Sequence, residues 1–200
     1  MFQLEEANLE PDPFDQFSLL YKYAQDEGQE SPEVMALATS SKGGSPSTRF
    51  VLLNGVSEGN FIFFTNYGSK KGNDLKENPR AALAIYWPKV SLQIRAEGNV
   101  ELLSAGQSNS YFSLRNRESQ ISAWASQQSK IVPNRSYLEQ KWREFDSKFG
   151  PSVPRPPNWG GFMLKAKVIE FWQSRERRLH DRIRYTLQSR GHWRIERLSP

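Results

Sequence analysis

Short apolar runs recur along the chain and predict a protein built mainly from β-strands. Runs such as VMALATS, NFIFFTN and AALAIYW are rich in branched and aromatic residues and are bounded by turn-forming strings. The predicted strands begin at Val34, Thr48, Asn60, Ala81, Ser91, Phe162, Arg178 and His192. Because the turn-rich strings SKGGSPS and GVSEG separate the first three strands, we expect those three to form an antiparallel meander.

Helical spacing of apolar residues appears in three other parts of the chain. Residues 13–28 and 69–78 each predict a short helix, and Pro79 stops the second one. Residues 104–149 predict a block of three helices, at 104–116, 119–128 and 136–149. Strands interrupted by such a block favour a mainly β fold with added helices, in which a barrel-like antiparallel sheet carries a helical layer outside.

The length of 200 residues predicts one domain. We expect an N-terminal tail at 1–12 and a single domain at 13–200, with the helical insertion at about 104–149. The first residues lack the basic start and apolar run of a secretory signal, and no apolar stretch is long enough to cross a bilayer. The sequence therefore predicts a cytoplasmic protein with no membrane partner.

Composition excludes several kinds of chemistry. The chain has no cysteine, which excludes disulfides, thiolate metal sites and a cysteine nucleophile. Its only histidines are His180 and His192, and no ligand spacing surrounds them, so we expect no metal site. No GxSxG elbow, Walker string or GxGxxG after a strand is present, which leaves classical hydrolases and the common nucleotide folds without support.

The charge favours an anionic partner. Lys and Arg number 27 against 22 acidic residues, for a formal net charge of +5. The excess lies in residues 175–200, where eight arginines stand against three acidic residues. Phosphate, nucleic acid and an acidic membrane are all compatible with this charge.

Two groups of residues have the chemistry to bind such an anion. Tyr111, Arg115 and Ser119 are four residues apart, so on one continuous helix they would share a face and offer several donors to a phosphate. A solvated helix face explains the same spacing. In TNYGSKKG, a strand ends and a helix begins near Ser69, and Lys70 and Lys71 stand beside its free amides, although ordinary helix starts look alike.

A third group lies in the last part of the chain. If RLHDR is extended, Arg178, His180 and Arg182 point to one side of the sheet, because side chains alternate along a strand. One sheet face would then carry two guanidinium groups around an imidazole. An exposed basic strand or a nucleic-acid-binding patch would explain the same residues.

A series of strings along the chain resembles one family, the pyridoxine (pyridoxamine) 5'-phosphate oxidases. These strings, in order, are STRFVLLNG, FFTNYGSKKG, ENPRAAL, IYW, QIRAEGNVE, YFSLR, SQISAW, QSKIVPNR, VPRPPNWGG, IEFWQ, RLHDR and RLSP. The resemblance begins at about Pro11 and covers nearly the whole chain. The combination of IEFWQ, RLHDR and a terminal RLSP is its most specific part.

This resemblance implies a split β-barrel homodimer with FMN in a cleft between the subunits. The implied FMN contacts are Arg49, Val51, Leu52, Phe64, Thr65, Lys70, Lys71, Gln93, Gln128, Ser129, Trp172 and Arg182. The substrate phosphate would bind to Tyr111, Arg115 and Ser119, and its pyridine ring would lie against the catalytic residues Arg178 and His180. The implied reaction is the oxidation of pyridoxamine or pyridoxine 5'-phosphate to pyridoxal 5'-phosphate, with oxygen reduced to hydrogen peroxide.

The chain also departs from the family pattern. Asn54 stands where Lys is usual, which removes a cation near the implied ligands and makes Arg117 a candidate to replace it. Leu92 replaces a common Arg, Asn116 a common Pro and Lys70 a common Arg. These differences keep two alternatives open: a related flavin oxidase of the phenazine-assembly type, and a noncatalytic flavin or pyridoxal phosphate carrier. We expect no nucleic acid partner, because only the charge favours one.

Overall fold

The computed structural model describes residues 3–200 and contains nine strands and five α-helices within that range. The strands are β1 (Val34–Ser40), β2 (Pro46–Leu52), β3 (Val56–Ser57), β4 (Asn60–Asn66), β5 (Arg80–Trp87), β6 (Leu92–Leu102), β7 (Trp159–Gln173), β8 (Asp181–Leu187) and β9 (Trp193–Arg197). The helices are α1 (Pro13–Asp26), α2 (Lys70–Glu77), α3 (Ala105–Leu114), α4 (Arg117–Ala125) and α5 (Arg135–Lys148). None of the helices in this range is both long and apolar enough to span a membrane.

The strands form one antiparallel sheet whose order is β2-β1-β5-β6-β7-β4-β3, with β8 paired to β7 and β9 paired to β8. The long strand β7 pairs with β6 along most of its length. Its first half also pairs with β4, and its second half pairs with β8. The sheet therefore branches at β7. β4 continues it beside the first half of β7, and β8 continues it beside the second half.

The predicted meander of the first three strands is wrong. β1 pairs with β2 and β5, which occupy both of its edges, whereas β4 pairs with β3 and β7. The short hairpin between β3 and β4 takes the chain away from the β1–β2 pair. Phe61 and Phe63 of β4 are then fully buried beside β7, so the burial of these large rings decides the pairing.

The main core lies inside this sheet and is closed by α1. Helix α1 begins at Pro13, and the side chain of Asp12 caps it by accepting from the Phe14 N–H at 2.7 Å. Phe17 and Leu20 of α1 are buried among the strand residues, and the Phe17 ring packs edge-on against Phe61 at 5.2 Å. The segment before α1 also contacts the core, because Leu4 is fully buried.

Helices α3, α4 and α5 enclose a second, smaller cluster. Ser104 caps α3 in a capping box with Gln107, and asparagine side chains cap α4 and α5. Among residues 3–200, four apolar residues are buried in this cluster: Phe112, Ile121, Val153 and Trp159. No residue of α5 is fully buried, and this helix packs on the cluster through partly buried rings such as Trp142 and Phe145.

One predicted strand begins later than expected. The prediction started it at Arg178, but β8 starts at Asp181, and residues 176–178 form a 3₁₀ turn in which Arg177 and Arg178 have φ values of 57° and 60°. The register explains the difference, because Gln173 at the end of β7 pairs with Asp181 and the residues between them make the turn. Arg178 and His180 therefore lie outside β8, and the prediction that they share one sheet face with Arg182 by alternation along a strand is wrong.

Candidate functional site

A cavity of about 890 Å³ opens between the sheet and the helical block, and most of the predicted site residues line it. Those residues are Arg49, Val51, Leu52, Phe64, Thr65, Lys70, Lys71, Tyr111, Arg115, Ser119, Gln128 and Ser129. They come from β2, β4, the start of α2, the end of α3, α4 and the loop after it. Distant parts of the chain therefore meet at one site.

Several other residues that line the cavity were not predicted from the sequence. These are Ser47, Thr48, Phe50, Asn66, Ser122, Ala123, Ser126 and Trp159. Ser122 follows Ser119 by three residues, and Ser126 follows Ser122 by four. Both intervals are helical, so the spacing that selected Ser119 could have predicted these two serines as well. Trp159 had no such signal, because it lies in the Pro- and Gly-rich string VPRPPNWGG, before the predicted start of the strand at Phe162.

One end of the cavity is strongly cationic. Arg49 and Lys71 lie here with Lys70, beside the N-terminus of α2, where the Ser69 hydroxyl accepts from the Gly72 N–H at 3.2 Å. A Cβ at Gly72 would lie 2.2 Å from the Tyr67 carbonyl oxygen, so this tight turn requires glycine. The free amides of the helix and three cationic side chains make this end suitable for a phosphate group.

Lys71 is the most perturbed of these cations. Its side chain is buried, and its ammonium donates to Thr65 Oγ1 at 3.0 Å and to Gln128 Oε1 at 3.4 Å. Burial, and then the positive charge of Arg49, lower the pKa of Lys71 to about 8. Both of its acceptors are neutral, so the ammonium makes no ion pair with a carboxylate in the part of the chain that the structure describes.

A stack of aromatic rings forms one wall of the cavity. The rings of Phe64 and Tyr111 are 3.8 Å apart and nearly parallel, and Trp159 continues the stack 5.5 Å from Phe64. The Arg115 guanidinium lies over the Trp159 ring at 4.6 Å. Asn54 donates from Nδ2 to the Tyr111 hydroxyl, so the residue that replaces the family's Lys holds the phenol in place.

The other end of the cavity contains Arg115 and Ser119. The Nη1 atom of Arg115 is buried and has no hydrogen-bond partner among residues 3–200. Burial lowers the pKa of this guanidinium. A buried guanidinium N–H without an acceptor is costly unless an anion binds it, so this end can bind an anionic group.

Arg117 does not supply a second cation at this end. It pairs with Asp146 of α5, and its Nη2 donates to the carbonyl oxygens of Asp146 at 3.0 Å and Phe149 at 2.8 Å. Arg117 is absent from the cavity lining. The expectation that Arg117 compensates for the lysine replaced by Asn54 is therefore wrong in this chain, because α5 takes its hydrogen bonds.

Five predicted residues do not line the cavity of their own chain: Gln93, Trp172, Arg178, His180 and Arg182. We call them the C-terminal cluster. Gln93, Trp172 and Arg182 are in register across β6, β7 and β8. The His180 ring lies 4.8 Å from the Trp172 ring. Gln93, Trp172, His180 and Arg182 are thus close to one another, and none of the five residues lines the cavity.

Two polar side chains of this cluster, those of Arg182 and His180, are held by contacts within the chain. Arg182 donates to both carboxylate oxygens of Glu170, at 2.9 and 3.2 Å, and this contact raises its pKa. His180 accepts the Arg175 backbone N–H at Nδ1, at 3.1 Å, so its neutral ring carries the proton on Nε2. Asp181 binds both Arg175 and Arg197. Much of the C-terminal charge excess is therefore paired internally.

The outer face of the sheet carries exposed apolar residues beside β1. Phe50, Leu52 and Tyr86 are 76%, 53% and 58% exposed. Ala36 and Ala84 lie between these larger side chains and are in register with each other. Exposed large apolar side chains on neighbouring strands are expected of a surface that packs against another protein.

Comparison with known proteins identifies relatives over nearly the whole chain. Residues 22–149 match the family model described as pyridoxamine 5'-phosphate oxidase, and residues 159–200 match that of the pyridoxine 5'-phosphate oxidase C-terminal dimerisation region. A Cupriavidus necator protein named pyridoxine/pyridoxamine 5'-phosphate oxidase is 49% identical over 197 residues, which cover 98% of this chain and 93% of that protein. A Burkholderia thailandensis protein of the same name is 46% identical over 199 residues, with the same coverage.

A solved structure shares the fold. PhzG from Burkholderia lata 383, in complex with tetrahydrophenazine-1-carboxylic acid, has a TM-score of 0.95 and 26% identity, and the match covers 100% of this chain and 98% of PhzG. The divided antiparallel sheet with its added helices is therefore a split β-barrel of the oxidase class, which confirms the predicted fold. The family models and the curated relatives then define its family. The chain belongs to the pyridoxamine 5'-phosphate oxidase family.

Proposed function

We propose that the protein is an FMN-dependent oxidase that converts pyridoxamine 5'-phosphate and pyridoxine 5'-phosphate to pyridoxal 5'-phosphate and reduces oxygen to hydrogen peroxide. The observation that carries this proposal is a cavity lined by two groups of cations and an aromatic stack: Arg49, Lys70 and Lys71 lie beside α2, and Arg115 follows α3. Two phosphate-bearing aromatic ligands need such a site. The names of the curated relatives support the same substrates.

The residues of the cavity fit FMN. Arg49, Lys70 and Lys71 provide the cations for its phosphate, and the buried charge of Lys71 lacks an anionic partner within the described chain. The other lining residues predicted to contact FMN are Val51, Leu52, Phe64, Thr65, Gln128 and Ser129. When bound, FMN would supply the hydride acceptor that is later reoxidised by oxygen.

Substrate binding would use the other end of the cavity. Arg115 would donate its unpaired Nη1–H to the substrate phosphate, and Ser119 and the Tyr111 hydroxyl would add two neutral donors. These contacts would fix the substrate ring beside the cofactor and orient its reacting carbon. The protein would then contribute mainly by positioning and by excluding water.

The C-terminal region matches a dimerisation region, which supports a homodimer. We propose that the C-terminal cluster of one subunit completes the cavity of the other, with FMN at the interface. Four of its residues lie within 159–200, and Gln93 is paired in register with Trp172. A second copy of the chain would also cover the apolar face around Phe50 and Tyr86.

Arg178 and His180 would act on the substrate from this second subunit. With Nδ1 accepting from the Arg175 backbone, neutral His180 presents a proton at Nε2 and acts as a hydrogen-bond donor there. It therefore would not remove a proton from the substrate through Nε2. Arg178 makes no ion pair among the described residues, so its charge would be available to the bound ring.

The decisive experiment is an aerobic and anaerobic assay of FMN-loaded protein. Pyridoxamine 5'-phosphate should bleach the flavin without oxygen, and air should restore its colour with equal amounts of pyridoxal 5'-phosphate and hydrogen peroxide. Bound flavin that no vitamer phosphate reduces would contradict the oxidase proposal and favour a carrier. Protein that takes up no FMN would contradict both.

A second candidate is an oxidase of the phenazine-assembly type. It is favoured by the likeness to PhzG and by Asn54, which leaves Arg115 as the only cation among the residues that line that end of the cavity. A single guanidinium suits a carboxylate as well as a phosphate. The same assay with a reduced phenazine carboxylate distinguishes the two, because the favoured substrate reduces the flavin faster.

A further inference from the structure

A buried polar pair lies behind the cavity, next to Arg49. Thr39 of β1 and Asp74 of α2 are 3% and 5% exposed. The Thr39 hydroxyl donates to Asp74 Oδ2 at 2.7 Å, and Arg49 Nη1 donates to Thr39 Oγ1 at 2.7 Å. Asp74, Thr39 and Arg49 thus form a continuous chain of hydrogen bonds that joins α2, β1 and β2. Thr39 is not part of the cavity lining, whereas Arg49 is.

The donors of Arg49 divide into two sets. Its Nη1 group uses both hydrogens within the protein, on the Leu37 carbonyl oxygen at 3.1 Å and on Thr39 Oγ1. One Nη2 hydrogen goes to Ser47 Oγ at 2.8 Å. A guanidinium has five N–H donors, so the Nε hydrogen and the other Nη2 hydrogen remain for a ligand. The protein contacts therefore decide how the two remaining donors are aimed.

The direction of each hydrogen bond follows from the chemistry of the three groups. Arg49 can only donate, and an ionised Asp74 can only accept, so the single hydrogen of the Thr39 hydroxyl must point to Asp74. Burial alone would raise the pKa of Asp74, but hydrogen bonds from Thr39 and Lys70 outweigh it and hold the pKa below its ordinary value. Asp74 is therefore ionised, and the free lone pairs of Thr39 face Arg49.

We infer that Thr39, oriented by Asp74, is a positioning residue that holds the Arg49 guanidinium for the phosphate of FMN. This role rests on the proposed binding of FMN, and it adds a residue that touches neither the cofactor nor the substrate. Without the Thr39 oxygen, one Nη1 hydrogen of Arg49 loses its acceptor, and the guanidinium can rotate away from the orientation that the phosphate needs. The effect acts only on the phosphate contact.

The test compares FMN with riboflavin, which has the same ring and ribityl chain but no phosphate. Binding of each flavin to apoprotein is measured by fluorescence for the wild type, Thr39→Val and Thr39→Ser. Thr39→Val keeps the shape and removes the hydroxyl, so its FMN Kd should rise about tenfold or more, as for a lost hydrogen bond to a charged group. Its riboflavin Kd should stay within about twofold of wild type, and Thr39→Ser should restore FMN binding.

A matched control is Thr186→Val, which makes the same change in β8, away from the cavity, and should alter neither affinity. Unchanged FMN binding in Thr39→Val would overturn the inference, and so would an equal loss for both flavins. If Thr39→Val does not fold, as judged by circular dichroism, Thr39→Ala gives the same comparison. Wild-type protein that binds no FMN would overturn the proposed function itself, whereas wild-type binding with an unaffected Thr39→Val overturns only the role of Thr39.

Discussion

The cavity and the C-terminal cluster both carry the cationic residues expected of a phosphate-binding enzyme, but these cations differ in whether a carboxylate pairs with them. In the cavity, Lys71 has only neutral acceptors and Arg115 has a buried N–H without a partner. In the C-terminal cluster, Arg182 is bound to Glu170 through two hydrogen bonds. The comparison shows that the availability of a charge depends on nearby carboxylates and not on the residue type.

The difference between unpaired and paired cations corresponds to a difference in function, which is ligand binding for the first and structural support for the second. An unpaired, partly buried cation destabilises the free protein and gains most when an anion binds, so it suits a ligand contact. A cation that is already paired gains little from a further anion and instead fixes the geometry of its strand. Lys71 and Arg115 are thus prepared for ligands, whereas Arg182 fixes the strands of the C-terminal cluster, in which Arg178 makes no ion pair among the described residues.

The largest effect should come from removing the unpaired guanidinium. Arg115→Ala should lower kcat/KM for pyridoxamine 5'-phosphate by roughly a hundredfold or more, because charge-assisted hydrogen bonds to the substrate phosphate are lost. The FMN Kd should not change. Steady-state kinetics and flavin titration check both results, with Arg117→Ala as the matched control, because Arg117 is outside the cavity. Equal losses in the two variants would contradict the assignment.

The next effect tests whether the two regions meet across subunits. Arg115→Ala alters the cavity and His180→Ala alters the C-terminal cluster, so each homodimer should have two defective sites. Co-expression of the two variants should restore about a quarter of wild-type activity, because half of the dimers are mixed and each mixed dimer has one intact site. Purification through two different tags isolates the mixed dimer. No recovery in that dimer would show that the site is completed within one chain.

The pH dependence of FMN binding should follow Lys71. Its pKa is about 8 in the free protein, so the ammonium loses its proton as the pH rises through 8, and the attraction to the FMN phosphate is lost with it. The FMN Kd should therefore rise by roughly tenfold between pH 7 and pH 9.5. Lys71→Met should bind FMN weakly and without this dependence, whereas Lys76→Met, an exposed change on the same helix, should keep it. A wild-type profile that stays flat would refute the role of Lys71.

The smallest effect should come from the paired region and should concern stability. Glu170→Gln removes the partner of Arg182 at a mostly buried site, so it should cost about 1–3 kcal/mol of unfolding free energy, a few degrees in Tm. The exposed pair between Lys165 and Glu101 is the matched control, and Glu101→Gln should change stability by less than about 1 kcal/mol. Thermal unfolding in the absence of flavin measures both. If the exposed pair matters as much, burial does not set the difference.

Much of the architecture was predictable because it depends on local patterns. The alternation in β1 and β4 and the Asp12–Pro13 start of α1 are signals carried by neighbouring residues. The pairing of β4 with β7 was not predictable, because strands distant in sequence compete for the same edge and the burial of Phe61 and Phe63 decides the outcome. The turn that displaces Arg178 from β8 depends on another pairing, that of β7 with β8.

The candidate site likewise has some features that were predictable from the sequence and others that were not. The spacing of Tyr111, Arg115 and Ser119 was visible in the sequence, and the structure brings all three to one cavity although α3 ends before Arg115. The contacts of Arg117 with Asp146 and with the Phe149 carbonyl oxygen could not be predicted, because these two residues are remote from Arg117 in the sequence. Likewise, no local pattern connects Thr39 with Asp74 and Arg49.

The sequence by itself determined the strands and helices, the family resemblance and the residue types available to bind two anions. Only the tertiary structure decided which cations stay unpaired, because that depends on carboxylates and carbonyl oxygens brought close by folding. Lys71 and Arg115 keep charges for ligands, whereas Arg117 and Arg182 do not, although all four are ordinary basic residues in the sequence. The physical reason is that the strength of a charge in a protein depends on its burial and its neighbours, and both are properties of the fold.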